Sequence, residues 1–401
     1  MKNRRFLSFG AIALVIILCA LAFSAFSRSE YSEASAIGTN VSDFKELSKR
    51  FEILSEERGA AYAYEILRRA ELPPGTDLHL LGHVVGDQLY LQEGLDGIIV
   101  CTPEFRNACS HTIAIGALNE YGANASTLLR IDDACKKAPG GTGAYTMCYH
   151  GLGHGVFAYF GYDLAKTVSF CAEMGTEEYH NRQAEECVGG SIMELMGGGG
   201  HDNDAWLAAR ERYLSPSNAL MPCLSSVIPD NMKPICLLYI TPQLFAHETG
   251  NLANPSEREF RGAFEACDTI PAASPRLRTA CFEGIGKEFP VLALARDIRT
   301  ISSATDAQLR LMYTWCDIAP SEEAFTDCSL SVVDSLFWGG ENDSSVSLRY
   351  CAVASEARKG TCYEYILEIA SFYLRVGSPE AMRLCSGFPT NLIDSCRERL
   401  L

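Results

Sequence analysis

In the stretch CYHGLGHGVF, residues 148–157, two histidines stand four apart between three glycines. Residues four apart share a helix face, so such a pair can offer two imidazoles to one ion. The pattern recurs upstream: DLHLLGHVV from Asp77 aligns with CYHGLGHGV from Cys148 as H-x-L-G-H-x-V, setting His79 and His83 opposite His150 and His154. CFEGIGKEF from Cys281 keeps two of these glycines but has Glu283 and Lys287 where the histidines were. The glycines therefore belong to a repeated frame, and the histidines are an addition to it. Close helix packing is the expected role of Gly151 and Gly155, at a helix-propensity cost of about 1 kcal/mol each.

The frame is set by cysteines. Leaving aside Cys19, sixteen remain and fall in order into eight neighbouring pairs: Cys101 with Cys109, Cys135 with Cys148, Cys171 with Cys187, Cys223 with Cys236, Cys267 with Cys281, Cys316 with Cys328, Cys351 with Cys362, and Cys385 with Cys396. None is spaced as CxxC, which removes support for zinc-finger, thioredoxin-like or haem-attachment readings. Disulfides formed outside the cytoplasm are the better account. Nearest-neighbour pairing is expected, each bridge contributing roughly 3 kcal/mol in the chain-entropy account.

Successive second cysteines are 34 to 49 residues apart, the period of helical-hairpin arrays. Apolar-periodic segments run into the first cysteine (GAFEAC, LRLMYTWC, EAMRLC), and Ser274-Pro275 and the acids after Ser321 mark helix starts. CSLSVVDSLFW and CYEYILEIASFYL continue as buried helices. Each unit is expected to be helix, stapled loop, helix, and the whole an all-α, disulfide-stapled α-solenoid of helical-hairpin repeats behind an N-terminal transmembrane or signal helix. This architecture resembles the cysteine-rich helical-repeat proteins of the Sel1 type, in which a disulfide also staples each helix pair. The glycine-alanine signature of those repeats is absent and the repeat lengths differ, so no residue role is carried over.

Position by position, the repeat acts as an internal control. Two residues after each second cysteine stand His111, His150, Gly189, Leu238, Glu283, Leu330, Glu364 and Glu398, so the fold does not require histidine there. Six residues after it, His154 is matched by Ile115, Met193, Pro242, Lys287, Asp334 and Glu368. Five of the eight histidines, His79, His83, His111, His150 and His154, thus come from three successive units at equivalent positions. Equivalent positions of a solenoid line one surface. Asp87 extends the His79 and His83 row by a turn, and Glu194 supplies a candidate carboxylate from the next unit. Such a donor set suits zinc first, with copper, nickel or iron as ions of the same ligand class. A buried hydrogen-bond network and a pH-sensing cluster are the competing readings.

Other segments carry less chemistry. GGGGHDND (197–204) reads as a linker, and the glycines of APGGTGAY (138–145) as turns inside a stapled loop. Asn40, Asn124 and Asn342 head glycosylation sequons, informative only in a glycosylating host. His180, His201 and His247 fall outside the register and are expected at the surface.

The N-terminus sets the compartment. After MKNRR, residues 6–26 carry no charge and are long enough to cross a bilayer, with a cleaved signal peptide as the rival reading. Residues 27–42 read as a linker, 43–205 as histidine-rich repeats and 206–401 as scaffold repeats. The formal charge of −16 repels a phosphate backbone, which argues against a nucleic-acid partner. The reading that follows is a membrane-tethered protein facing the periplasm, lumen or cell exterior, or secreted if cleaved, that binds a transition metal through its histidines. A protein-interaction scaffold, with a partner on the solenoid surface, is the second reading, and a metal-dependent enzyme the third.

Overall fold

The computed structural model describes residues 30–401 apart from 103, 140, 198–201, 250–254, 340–344 and 375. The apolar run at 6–26 and His201 lie outside the described residues. Among the described residues no helix is long and apolar enough to cross a membrane, and no strand forms beyond an isolated bridge between Ser215 and Asn218.

The first half contains α1 (Phe44–Arg58), α2 (Ala60–Arg69), α3 (Leu78–Glu93), α4 (Ala108–Tyr121), α5 (Ala125–Cys135), α6 (Gly141–Tyr159), α7 (Leu164–Ala172), α8 (Arg182–Gly197) and α9 (Asn203–Tyr213). The second contains α10 (Lys233–Tyr239), α11 (Thr241–Thr249), α12 (Glu257–Asp268), α13 (Pro275–Ala293), α14 (Asp306–Cys316), α15 (Glu322–Gly339), α16 (Ser345–Val353), α17 (Glu356–Tyr373), α18 (Pro379–Ser386) and α19 (Ile393–Leu400). Their starts follow local chemistry. The Asp77 carboxylate accepts from the Leu80 amide at the head of α3, Ser274 and Pro275 open α13, and the Ser321 hydroxyl accepts from the Ala324 amide in the first turn of α15.

One helix of each unit packs on its counterpart in the next, so α3, α4, α6, α8, α10, α13, α15, α17 and α19 form a continuous row. The eight neighbouring cysteine pairs are the ones brought to bonding distance. In the first half Cys101 joins Cys109, with Cα atoms 5.3 Å apart, Cys135 joins Cys148 and Cys171 joins Cys187. In the second half Cys223 joins Cys236, Cys267 joins Cys281, and Cys316 joins Cys328 at a Cα separation of 5.8 Å. Cys351 with Cys362 and Cys385 with Cys396 complete the set. Most bridges pin the end of an outer helix to the row, as Cys135 of α5 does to Cys148 of α6 and Cys385 of α18 to Cys396 of α19. The apolar core divides within α6: one cluster runs from Ala34 to Val156 and the other from Phe157 to Leu400.

The frame glycines explain how closely the row is packed. The glycine three residues after a second cysteine lies against the preceding unit: a Cβ on Gly151 would fall 2.3 Å from His111 Cα, and one on Gly190 would fall 1.8 Å from the His150 carbonyl oxygen. The glycine five residues after it lies against the following unit, with Gly153 set on the Cys187 carbonyl and Gly286 on that of Cys328. Backbones meet where no side chain intervenes, so side chains at equivalent positions of successive units are drawn together. The packing role expected of Gly151 and Gly155 is what the structure shows, Gly155 lying against Ile115.

The stacking order is that of a solenoid, but the row does not extend freely. It curls until α17 touches α6 and the 3-10 turn Ile298–Ser303 meets the turn Glu104–Asn107. Arg299 joins the two halves, donating from Nη1 to the carbonyl oxygens of Leu67 (3.0 Å) and Ala70 (2.9 Å) at the C-terminal end of α2. A cation there also opposes the partial negative charge of the helix end. Asp297 braces the guanidinium from the other side.

Candidate metal centre

All five in-register imidazoles converge. Ring centroids of His79 and His83 are 4.7 Å apart, those of His79 and His111 5.4 Å, and those of His111 and His154 5.5 Å. His150 lies 5.2 Å from His154 and 5.5 Å from His111. Helices α3, α4 and α6 supply them, and the close approach at Gly151 brings His111 onto the face that carries His150 and His154.

Within the cluster, His79, His83 and His111 each present a ring nitrogen such that all three lie within 4.8 Å of one another, a spacing that can hold a metal ion. His79 is oriented by its Nδ1, 2.7 Å from the Phe105 carbonyl oxygen. A carbonyl only accepts, so Nδ1 carries the proton and Nε2 of the neutral ring carries a lone pair. That Nε2 is 3.1 Å from His83 Nε2. His111 is buried, and neither of its ring nitrogens has a hydrogen-bond partner among the described residues. Burial, reinforced by the four neighbouring histidines, pushes its pKa well below the ordinary value, so it stands as a neutral ring with a lone pair to give.

The other two histidines are held by carboxylates. His150 Nδ1 is 3.2 Å from Glu186 Oε2, and His154 Nδ1 is 3.0 Å from Glu194 Oε2, both partners coming from α8. Glu194 therefore stands behind His154, orienting the ring through the nitrogen that faces the carboxylate. Asp87 is exposed and lies outside the three-histidine group. Burial holds the His150 pKa down at about 4 even though Glu186 favours the charged ring. Burial alone would raise Glu186, but its bonds with His150 and Tyr239 leave it below its usual range, so the carboxylate is ionised and the imidazole neutral.

Of three further residues at the cluster, Glu186 and Tyr239 stand outside the histidine register, whereas Met193 holds the position of His154 one unit later. Glu186 precedes a cysteine at a place where other units have Ala108 or Met147. Tyr239 donates its hydroxyl to Glu186 (2.9 Å) and lies 4.7 Å from the His150 ring; Gly189, at the histidine position of its unit, makes room for it. Met193 places its sulfur 3.3 Å from His150 Nε2. Of the remaining histidines, His180 is exposed as expected. His247 is not at the surface: α11 packs on α12, leaving His247 half-buried with an enclosed Nε2 that lacks a partner among the described residues.

Glu283, the counterpart of His150 in the fifth cysteine unit, shows what the frame position demands when no imidazole occupies it. Burial, then the nearby Asp327 and Asp334, push its pKa up to about 7, against a smaller opposing pull from Arg182. With the folded pKa above the unfolded one, its stabilising contribution is complete below about pH 4.5 and is lost as pH rises through about 7. Glu283→Gln should match the parent near pH 4 and exceed it at pH 8 by about 3 kcal/mol in urea unfolding. Equal stability at pH 8 would refute the assignment.

No protein-family model, curated protein or solved structure matches the chain.

Proposed function

We propose that this is an extracytoplasmic helical-repeat protein that binds a transition-metal ion through His79, His83 and His111. Its N-terminal apolar run would tether it to the membrane, or release it if cleaved. The observation that carries the reading is His111, a buried imidazole whose two nitrogens have no hydrogen-bond partner among the described residues, set beside two more imidazoles within ligand spacing. An unsatisfied buried polar group costs about 1–3 kcal/mol, and a metal ion offsets that cost where a second side chain does not. Three nitrogen donors with the His79 ring oriented through a backbone carbonyl suit Zn²⁺, which commonly takes three protein ligands and one exchangeable position. Eight disulfides support the oxidising compartment.

Zinc titration of the chelator-stripped full chain, read by elemental analysis after gel filtration, tests it. The parent should retain one equivalent at this site, and the double variant His79→Gln, His83→Gln should lose it while keeping its helical circular dichroism. A parent that takes up no stoichiometric divalent metal refutes the reading.

A further inference from the structure

We infer that His150, His154 and Met193 form a second metal site, beside the first, that takes a soft monovalent ion of the copper(I) class. Two atoms with only lone pairs to offer face each other across the α6–α8 interface. His150 Nε2 and Met193 Sδ are 3.3 Å apart. His150 donates a hydrogen bond from Nδ1–H to Glu186, a carboxylate that also accepts from the Tyr239 hydroxyl. The neutral ring then has only a lone pair at Nε2, and a thioether sulfur has only lone pairs of its own. Neither atom can donate to the other, and a cation between them resolves the conflict.

A third donor lies one turn further along α6. His154 is anchored through Nδ1 to Glu194, and its Nε2 is buried with no hydrogen-bond partner among the described residues. Both rings are thus fixed by a carboxylate with the opposite nitrogen left to bind, the arrangement that orients metal-ligating histidines and raises their basicity. Glu186 and Glu194 are almost fully buried and place negative charge behind the site, which balances a bound cation. The donor chemistry then separates the two sites. His79, His83 and His111 offer imidazole alone, whereas thioether sulfur is a soft ligand that selects copper(I). Met193 is only partly buried. In the repeat it occupies the position that His154 holds one unit earlier, which makes it the in-register donor contributed by α8.

Silver(I), a redox-inert stand-in for copper(I), is the probe, added as the nitrate in chloride-free buffer to the full chain carrying Cys19→Ser so that no thiol competes. The parent should bind one Ag⁺ in addition to Zn²⁺, with a sulfur scatterer in the silver absorption edge. Met193→Leu, which conserves volume, should weaken Ag⁺ binding by about tenfold or more and leave zinc stoichiometry unchanged. The double variant His79→Gln, His83→Gln should do the reverse, so failure of the zinc site and failure of this one are distinguishable. If Met193→Leu does not fold, His154→Gln gives the same readout. Undiminished Ag⁺ affinity in the folded variant, an edge without sulfur, or Ag⁺ that only displaces zinc would each overturn the inference.

Discussion

Replacing His111 with leucine should abolish zinc uptake and make the metal-free protein more stable than its parent. Both effects come from one side chain. His111 is buried among α3, α4 and α6 with both ring nitrogens unpartnered among the described residues, and burial holds it neutral. In the absence of metal the fold therefore bears the desolvation of a polar ring without recovering a hydrogen bond, a cost of about 1–3 kcal/mol. Leucine fills similar space, and the repeat already carries it at this register in Leu238 and Leu330. The variant should accordingly gain about 1–2 kcal/mol in urea unfolding with chelator present. With zinc present the order should invert, because a ligand at 1,000 times its Kd adds about 4 kcal/mol to the parent and nothing to a variant that cannot bind. A metal-free His111→Leu less stable than the parent would mean that the imidazole is a structural hydrogen-bond member, and the metal reading would fall.

The register was readable because the cysteines number it. Counting from each second cysteine places His111 and His150 at one position and exposes them as additions, since Gly189, Leu238 and Glu283 fill the same place elsewhere. Nearest-neighbour pairing followed from the same spacing, and the bridges have that pattern through to Cys223 with Cys236, Cys351 with Cys362 and Cys385 with Cys396 in the second half. Periodicity reached less far at Asp87. Eight positions along a helix of 3.6 residues per turn rotate a side chain about 80° from where it started, so Asp87 leaves the face of His79 and turns to solvent. Glu186 was hidden for a different reason: its role depends on which turn of α8 packs on α6, and that is set by glycines rather than by any acidic pattern. The curl that lets Arg299 reach the end of α2 is a sum of small rotations over many units, for which a single unit's sequence carries no visible sign.

Gly190 is the position at which the geometry of the row and the chemistry of the cluster meet, and Gly190→Ala should be among the most damaging single-methyl additions in the molecule. A Cβ there would lie 1.8 Å from the His150 carbonyl oxygen and 2.8 Å from its carbonyl carbon. Both atoms belong to helix backbone, so neither can swing aside as a side-chain tip would. Alanine gains about 1 kcal/mol over glycine in intrinsic helix propensity, but forcing two packed helices apart costs about 1–3 kcal/mol and often more. The second effect wins because α6 and α8 share an extensive contact along their length and cannot yield at one turn alone. Gly360 supplies the matched control: it lies in α17 with nothing within 4 Å of an added Cβ, so Gly360→Ala should be stabilising by about 0.5–1 kcal/mol. The damage at Gly190 should also be chemically selective. The bonds from His150 to Glu186 and from His154 to Glu194 both cross the α6–α8 interface, whereas His79, His83 and His111 sit on α3 and α4. Displacement of α8 should therefore cost silver binding before zinc binding in variants that remain folded. Urea unfolding of the two alanine variants beside the parent decides the matter: opposite signs are expected, and a Gly190→Ala protein as stable as Gly190 itself would show that the row is not held by backbone contact.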